Sequence, residues 1–287
     1  MVHQTIEVGH VELSALLDVD VETGPIVEAF PDIDPDALLA QKARYPDVYG
    51  SDDAWRLRVR GWLVRHPGGL LLMDTGVGGP GSPTQEWCPA PGSLLDALAE
   101  VGAKPRDIDT LAISHVHDDH IGGLTDDDGA PIFGNARHLL QRADRDWQED
   151  LARSSDEDRV IWERLLQPVE RAGLLDLLDG NDRLSPLLEL HHAPGHTPGH
   201  QVLRIASEGA RALISADTFN HPAQFAHPDW PSGPDNDHAE SAATRRAVLA
   251  ELFSHPGTTV APTHLGPAFG LVRSGRDGLA ALEPIEP

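Results

Sequence analysis

The chain predicts an α/β (α+β) fold in which two mixed β-sheets pack face to face between outer layers of helix. Three observations point there: strand-like apolar runs recur in both halves, helical stretches are interleaved with them, and no Pro/Gly/Ser-rich linker divides the halves. With 287 residues the chain is long enough to bury a sizeable core, and residues 1–287 are expected to form a single domain.

Residues 2–18 alternate enough to predict two short strands. Residues 19–54 are acidic and punctuated by proline, with a helical patch at Asp36–Ala43, and read as an excursion from the core. Trp55–Arg65 alternates apolar and basic residues with period two and turns at His66–Gly69 into Leu70–Met73, which predicts a hairpin with one solvated face. A Gly-rich loop follows at 74–81. Ser93 is placed to cap a helix that Gly102 closes. Strands are predicted at Thr110–Ser114 and Ala136–Gln141, then helices at 142–153 and 157–172 with Pro168 as a kink or break. Further strands are predicted at Leu187–His192, Gln201–Ile205, Ala212–Ser215 and near Thr258–Pro262, with a helix at about Glu240–Phe253 between the last two.

Charge narrows the function. There are 22 Lys+Arg against 46 Asp+Glu, a formal net charge of −24, which argues against nucleic acid and anionic membrane surfaces as partners. Cys88 is the one cysteine, so neither an internal disulfide nor a cysteine-built zinc cluster is available, and any metal site must use histidine and carboxylate. The N-terminus shows no basic stretch followed by an apolar one, and no run of eighteen apolar residues occurs. A soluble, cytoplasmic protein is expected.

Sixteen histidines offer the ligands. The densest cluster, His115-Val-His117-Asp118-Asp119-His120, leaves a predicted strand end. His115 and His117 leave on the same side, while Asp119 and His120, one turn later, can face a second position nearby; Asp118 is expected to face solvent. A second signal, Ala193-Pro-Gly-His196-Thr-Pro-Gly-His200, also follows a strand, and its Pro and Gly residues fix an irregular backbone that can hold His196 toward a metal. His200 reads as a packing or supporting residue. Asp217 and His264 each end a predicted strand, and together with the first two signals they form a set of strand-end ligands along one edge.

HVHDDH, a Gly-His-Thr loop, a strand-end Asp and a strand-end His, in this order, resemble the metallo-β-lactamase-fold hydrolase superfamily, and Asp74-Thr-Gly is similar to its Asp-Thr-Gly turn. The resemblance implies an αββα sandwich with a dinuclear centre: His115, His117 and His196 on one metal, Asp119, His120 and His264 on the other, and Asp217 bridging. Two Zn2+ are expected, with Mn2+, Fe2+ or Co2+ as alternatives. Asp74 is the candidate for orienting a ligand imidazole, a cap on its own loop being the alternative.

Such a centre implies a hydroxide nucleophile at neutral pH, with Asp119 orienting it and passing its proton to the leaving group. Asp119 and Asp217 are therefore the catalytic candidates. The bridging Asp217 argues against true zinc β-lactamases, the 23 residues after His264 against a glyoxalase II, and His117 against an electron-transferring flavodiiron protein. The branch that remains resembles N-acyl-homoserine lactonases and methyl parathion hydrolase. The loop from His196 to Gln201 is similar to the lactonase version, and Val19–Gly50 resembles the segment through which those enzymes dimerise and line their pocket. Where several lactonases carry a tyrosine three residues after the bridging Asp, this chain has Asn220. Phe219, Asn220, His221, Phe225 and Trp230 are the candidate pocket residues, with packing of their own loop as the alternative for Phe219, His221, Phe225 and Trp230.

The expected activity is hydrolysis of a small neutral ester, most readily a lactone, as in quorum quenching. The alternatives are phosphotriester hydrolysis, iron-dependent redox chemistry on the same ligands, and a non-catalytic metal-binding role.

Overall fold

The computed structural model describes residues 3–275 and 278–285. Two seven-stranded sheets divide the chain. The first holds β1 (Gln4–Val8), β2 (Val11–Pro25), β3 (Ala54–His66), β4 (Gly69–Met73), β5 (Thr110–Ala112), β6 (Arg137–Gln141) and β7 (Leu175–Leu178), side by side in chain order. The second holds β8 (Asp182–Arg183), β9 (Leu188–His192), β10 (Gln201–Ser207), β11 (Ala210–Ala216), β12 (Thr259–Pro262), β13 (Gly270–Ser274) and β14 (Ala280–Pro284), again in chain order. β1 to β4 run antiparallel, and β4 to β7 are mutually parallel. In the second sheet only β11 and β12 are parallel. Parallel neighbours need crossovers, and helices at Leu94–Glu100, Arg142–Ala152 and His238–Ser254 lie within them. The αββα sandwich is thus present.

The sheets share a core in which Leu13, Trp62, Val64 and Met73 of the first meet Leu190, Leu203, Ile214 and Phe269 of the second region. The Trp62 and Phe269 rings lie 5.6 Å apart. Each such side chain contributes about 1.5–3 kcal/mol by leaving water.

Four departures from the sequence reading have physical causes. β2 continues to Pro25, paired with β3 through Val19↔Val59 and Val21↔Leu57, so the excursion starts at 26 and not 19. It folds into short helices around its own apolar cluster of Ile26, Phe30, Leu38 and Tyr49. The face of β3 expected to be solvated is covered where Arg58 and Arg60 stand: both are buried against backbone carbonyls, so alternation there marks two covered faces. Ser93 occupies the cap position, but Asp18 supplies the capping oxygen, accepting the Leu94 N–H at 2.7 Å. The 157–172 helix is interrupted by a π turn at Trp162–Leu166; Pro168 cannot donate to Arg164 O, and Thr125 Oγ1 donates to it instead at 2.8 Å. Strands β7, β8, β13 and β14 were not anticipated.

Among the described residues, no helix is long and apolar enough to cross a membrane.

Candidate metal centre

The carboxyl ends of β4, β5, β9, β11 and β12 lie at one edge of the sandwich, and the histidines and carboxylates that follow them gather there. His115, His117, Asp119 and His120 lie in and just before the short Asp118–Ile121 helix, His196 in the β9–β10 loop, Asp217 after β11 and His264 after β12. Asp74 and Ala216, at two of these strand ends, have φ of 63° and 42°. Left-handed backbone at non-glycine residues costs about 1–3 kcal/mol, and here it turns the chain sharply at the site.

His115 Nε2 and His196 Nε2 each lie 3.0 Å from His117 Nδ1. On the other side His120 Nε2 and His264 Nε2 are 3.3 Å apart, and Asp119 Oδ2 is 3.6 and 3.5 Å from them. Asp217 stands between the groups: its Oδ2 is 3.4 Å from His196 Nε2 and 3.0 Å from His264 Nε2, and its Oδ1 is 3.2 Å from His120 Nε2. Three sets of atoms, from His115/His117/His196, from His115/His120/Asp217 and from Asp119/His120/His264, each fall within 4.8 Å. Zn–N bonds of 2.0–2.1 Å place tetrahedral ligands about 3.3 Å apart, which these separations match.

The chemistry of the donors fits a cation. Ser114 Oγ donates to Asp74 Oδ2 at 2.7 Å and so accepts from His115 Nδ1 at 2.9 Å. His120 Nδ1 donates to Asp74 Oδ2 and His196 Nδ1 to Asp235 Oδ1, both at 2.9 Å, and His264 Nδ1 to Arg58 O at 2.7 Å. In the neutral form the proton is fixed on Nδ1, and all four imidazoles turn Nε2 inward, where its lone pair can meet an ion. Asp217 Oδ1 is buried and makes no hydrogen bond, as an oxygen reserved for an ion would.

Burial, with neighbouring imidazoles, holds His115 and His117 well below the usual histidine range, so both are neutral imidazoles. Burial opposes charge on His120 and His264 too, but the Asp217 carboxylate, with Asp119, outweighs it and raises both. Burial would raise Asp217; His264 and His120 instead hold it well below the carboxylate range, so it is ionised.

The sequence-predicted ligands therefore converge, and Asp74 lies where it can orient His120. Asp118 does not face bulk solvent alone: its Oδ2 accepts from Trp87 Nε1 at 2.8 Å beside the cleft. His200 is a supporting residue; its Nδ1 donates to Ala193 O at 2.9 Å, and its Nε2 accepts the Asp217 N–H at 3.1 Å.

The cleft above the centre has a volume of about 270 Å3, with Trp55, Leu57, Trp87 and Pro234 as apolar walls and His117, Asp119, Asp217, Asn220 and His264 among its polar lining. Of the candidate pocket residues, only Asn220 lies there. Phe219 and Phe225 stack on each other at 4.1 Å and are buried against the His238–Ser254 helix region. His221 is enclosed by Phe30, Tyr45 and Tyr49, and Trp230 packs on the same cluster and stacks on His227. A post-strand loop next to the candidate ligands suggested pocket walls; its rings instead pack on the His238–Ser254 helix and anchor the 26–53 segment. Missed from sequence were Asp235, Trp55 and Trp87. The alternation of β3 made Trp55 visible as a strand residue, but nothing local marks Asp235 or Trp87.

Histidine and aspartate ligands gathered at one edge of a two-sheet sandwich define the class of metal-dependent hydrolases to which the chain's relatives and structural neighbours belong. Residues 55–264 match the metallo-beta-lactamase superfamily, and the chain belongs to that family. An N-acyl homoserine lactonase of Bacillus cereus is 29% identical over 168 residues, 53% of this chain and 60% of that protein. One from a Bacillus species is 32% identical over 121 residues, 42% of each chain. The chain thus spans about half the length of these relatives. Among solved structures, AidC, a dizinc quorum-quenching lactonase in complex with a product, superposes with a TM-score of 0.83 at 26% identity, covering 99% of this chain and 97% of that one. A probable metal-dependent hydrolase from Staphylococcus aureus shares the fold at a TM-score of 0.81 and 21% identity, covering 98% and 99%.

Proposed function

We propose that the protein is a dinuclear metal-dependent hydrolase of small neutral esters, with lactones as the preferred substrates. The observation that carries this reading is the position of Asp217, whose carboxylate reaches His196 on one side and His120 and His264 on the other at the floor of an apolar-walled cleft. His115, His117 and His196 would hold one ion, Asp119, His120 and His264 the other, and Asp217 both. Two divalent ions there, Zn2+ before Mn2+, Fe2+ or Co2+, supply Lewis-acid polarisation of a carbonyl and activation of a water at neutral pH.

The chain's own groups do the rest. Trp55, Leu57, Trp87 and Pro234 bind an apolar substituent and exclude water from the reacting ester. Asp119, whose side chain is 13% exposed, lines the cleft beside His264; it holds the proton taken from the nucleophile and returns it to the leaving alkoxide. Asn220, Asp74 and His200 keep Asp217 and His120 in place. The relatives named as N-acyl homoserine lactonases and the AidC superposition support the lactone preference.

The test is a pH-indicator hydrolysis panel of lactones, phosphotriesters, thioesters and β-lactams, run on metal-loaded wild type and on Asp217→Asn. Lactones turning over fastest, with at least a hundredfold loss in the variant, is the expected outcome. Faster phosphotriester turnover replaces the substrate assignment, and equal rates in wild type and variant across the panel overturn the hydrolase reading.

A further inference from the structure

Two buried charges that are not ligands each grip the backbone of ligand-bearing loops. Asp144, in the first turn of the Arg142–Ala152 helix, is fully buried. It accepts from Thr197 Oγ1 at 2.8 Å and from Gly199 N at 2.5 Å, and the nearby Val116 N–H favours its ionised form. Val116 lies between His115 and His117, and Thr197 follows His196, so one carboxylate joins the two loops that carry the three-histidine set. The fit is tight: a Cβ at Gly199 would come 2.6 Å from Asp144 N.

Arg60 of β3 does the converse for the other half. It is 5% exposed and pairs with no carboxylate among the described residues. Its Nη1 donates to Thr263 O at 3.0 Å and Leu265 O at 2.7 Å, and its Nη2 to Gly266 O at 2.9 Å. These carbonyls flank His264. Two residues earlier on β3, Arg58 O receives the His264 Nδ1 proton. A guanidinium is the side chain that can serve several carbonyls from one fixed plane, and a carboxylate is the one that can accept from three donors without offering a proton of its own.

We propose that Asp144 and Arg60 are positioning residues that brace the two halves of the centre separately: Asp144 sets His115, His117 and His196, and Arg60 sets His264. The proposal rests on the metal-centre reading above. It differs from a general structural role in being selective, because each residue touches the backbone of one ligand group and not the other.

The experiment titrates metal-free full-length protein with Co2+, following the d–d absorption bands, with Zn2+ stoichiometry by equilibrium dialysis. The backgrounds are His264→Ala, which leaves the three-histidine half, and His117→Ala, which leaves the Asp119/His120/His264 half. In the first, Asp144→Ala should weaken the remaining ion about 10–100-fold and alter its Co2+ bands, while Arg60→Met should change affinity less than twofold. In the second, the two effects should exchange. Asp144→Asn and Arg60→Lys, which preserve volume, give the same comparison at smaller amplitude, with circular dichroism checking the fold. Equal losses in both backgrounds, no loss in either, or failure of all four variants to fold would each overturn the separate bracing. Wild type that takes up no Co2+ is a different result, seen in the first titration, and overturns the metal centre itself.

Discussion

Asn220 Nδ2 donates to Asp217 Oδ2 at 2.8 Å, the same oxygen that lies 3.0 Å from His264 Nε2. The amide is therefore committed to the Asp217 carboxylate, whereas the sequence placed Asn220 where several lactonases have a tyrosine. Removing a hydrogen bond to a charged group costs about 1.5–3 kcal/mol, so Asn220→Ala should lower kcat roughly 10–100-fold. KM should stay within about twofold, as for a residue that sets Asp217 and not the substrate. Initial-rate kinetics on a lactone decide this; a raised KM at unchanged kcat would instead make Asn220 a substrate contact.

Asp74 accepts three donors: Ser114 N and Ser114 Oγ at 2.7 Å and His120 Nδ1 at 2.9 Å. Asparagine offers one oxygen for these and turns an N–H toward the remainder. On the proposed reading, Asp74→Asn should weaken an ion at Asp119, His120 and His264 about 10–100-fold, read by chelator competition. It should also lower unfolding free energy by about 1–3 kcal/mol, because a buried donor loses its acceptor. Unchanged affinity would return Asp74 to the role of a loop cap.

The difference between these two residues shows what the sequence could disclose. The histidine and carboxylate cluster was legible because strand-end histidines and carboxylates are rare enough in apolar surroundings to stand out, and because their spacing follows local geometry. Asp74 was legible for the same reason, lying on the turn after β4. The pocket was not: Phe219, His221, Phe225 and Trp230 follow Asp217 on one loop, but tertiary packing turns them onto the 26–53 segment and the last long helix. Arg58 and Arg60 were misread because period-two alternation reports which residues share a face, while coverage of that face comes from Asp47 over Arg58 and from the 262–266 turn, about two hundred residues away, over Arg60. The strands near the C-terminus pair at an edge, where a weak apolar pattern suffices and local signal is slight.

Trp87 is 41% exposed, large for an indole, and is held at the cleft by its bond to Asp118 Oδ2. On the proposed reading it covers an apolar substituent of the substrate. Trp87→Ala should raise KM for a lactone with a long alkyl chain about 5–30-fold, the equivalent of about 1–2 kcal/mol of lost apolar contact, and leave kcat within about twofold. A lactone without the chain should show little change in either constant. An equal KM rise for both substrates would place Trp87 against the ring, not the chain.

His221 links the 26–53 segment to the rest of the protein and predicts how that segment responds to acid. Its Nδ1 accepts the Ala223 N–H at 3.0 Å, and its Nε2–H donates to Tyr49 Oη at 3.2 Å, which itself donates to Leu38 O at 2.6 Å. Burial lowers the imidazole from 6.5 to about 3. Because the folded value is depressed, the stability this residue contributes is fully present above pH 6.5 and is lost as pH falls from 6.5 toward about 3, where the unfolded chain binds a proton that the folded chain refuses. Between pH 7 and pH 5 the loss amounts to about 2 kcal/mol. His221→Asn keeps an oxygen where Nδ1 accepts but cannot titrate. In denaturant unfolding of the metal-free protein at both pH values, the wild type should lose about 2 kcal/mol more than the variant, other titrating groups being common to both. Equal losses would mean that His221 is protonated within the fold, and that the Tyr49 contact is made by an imidazolium.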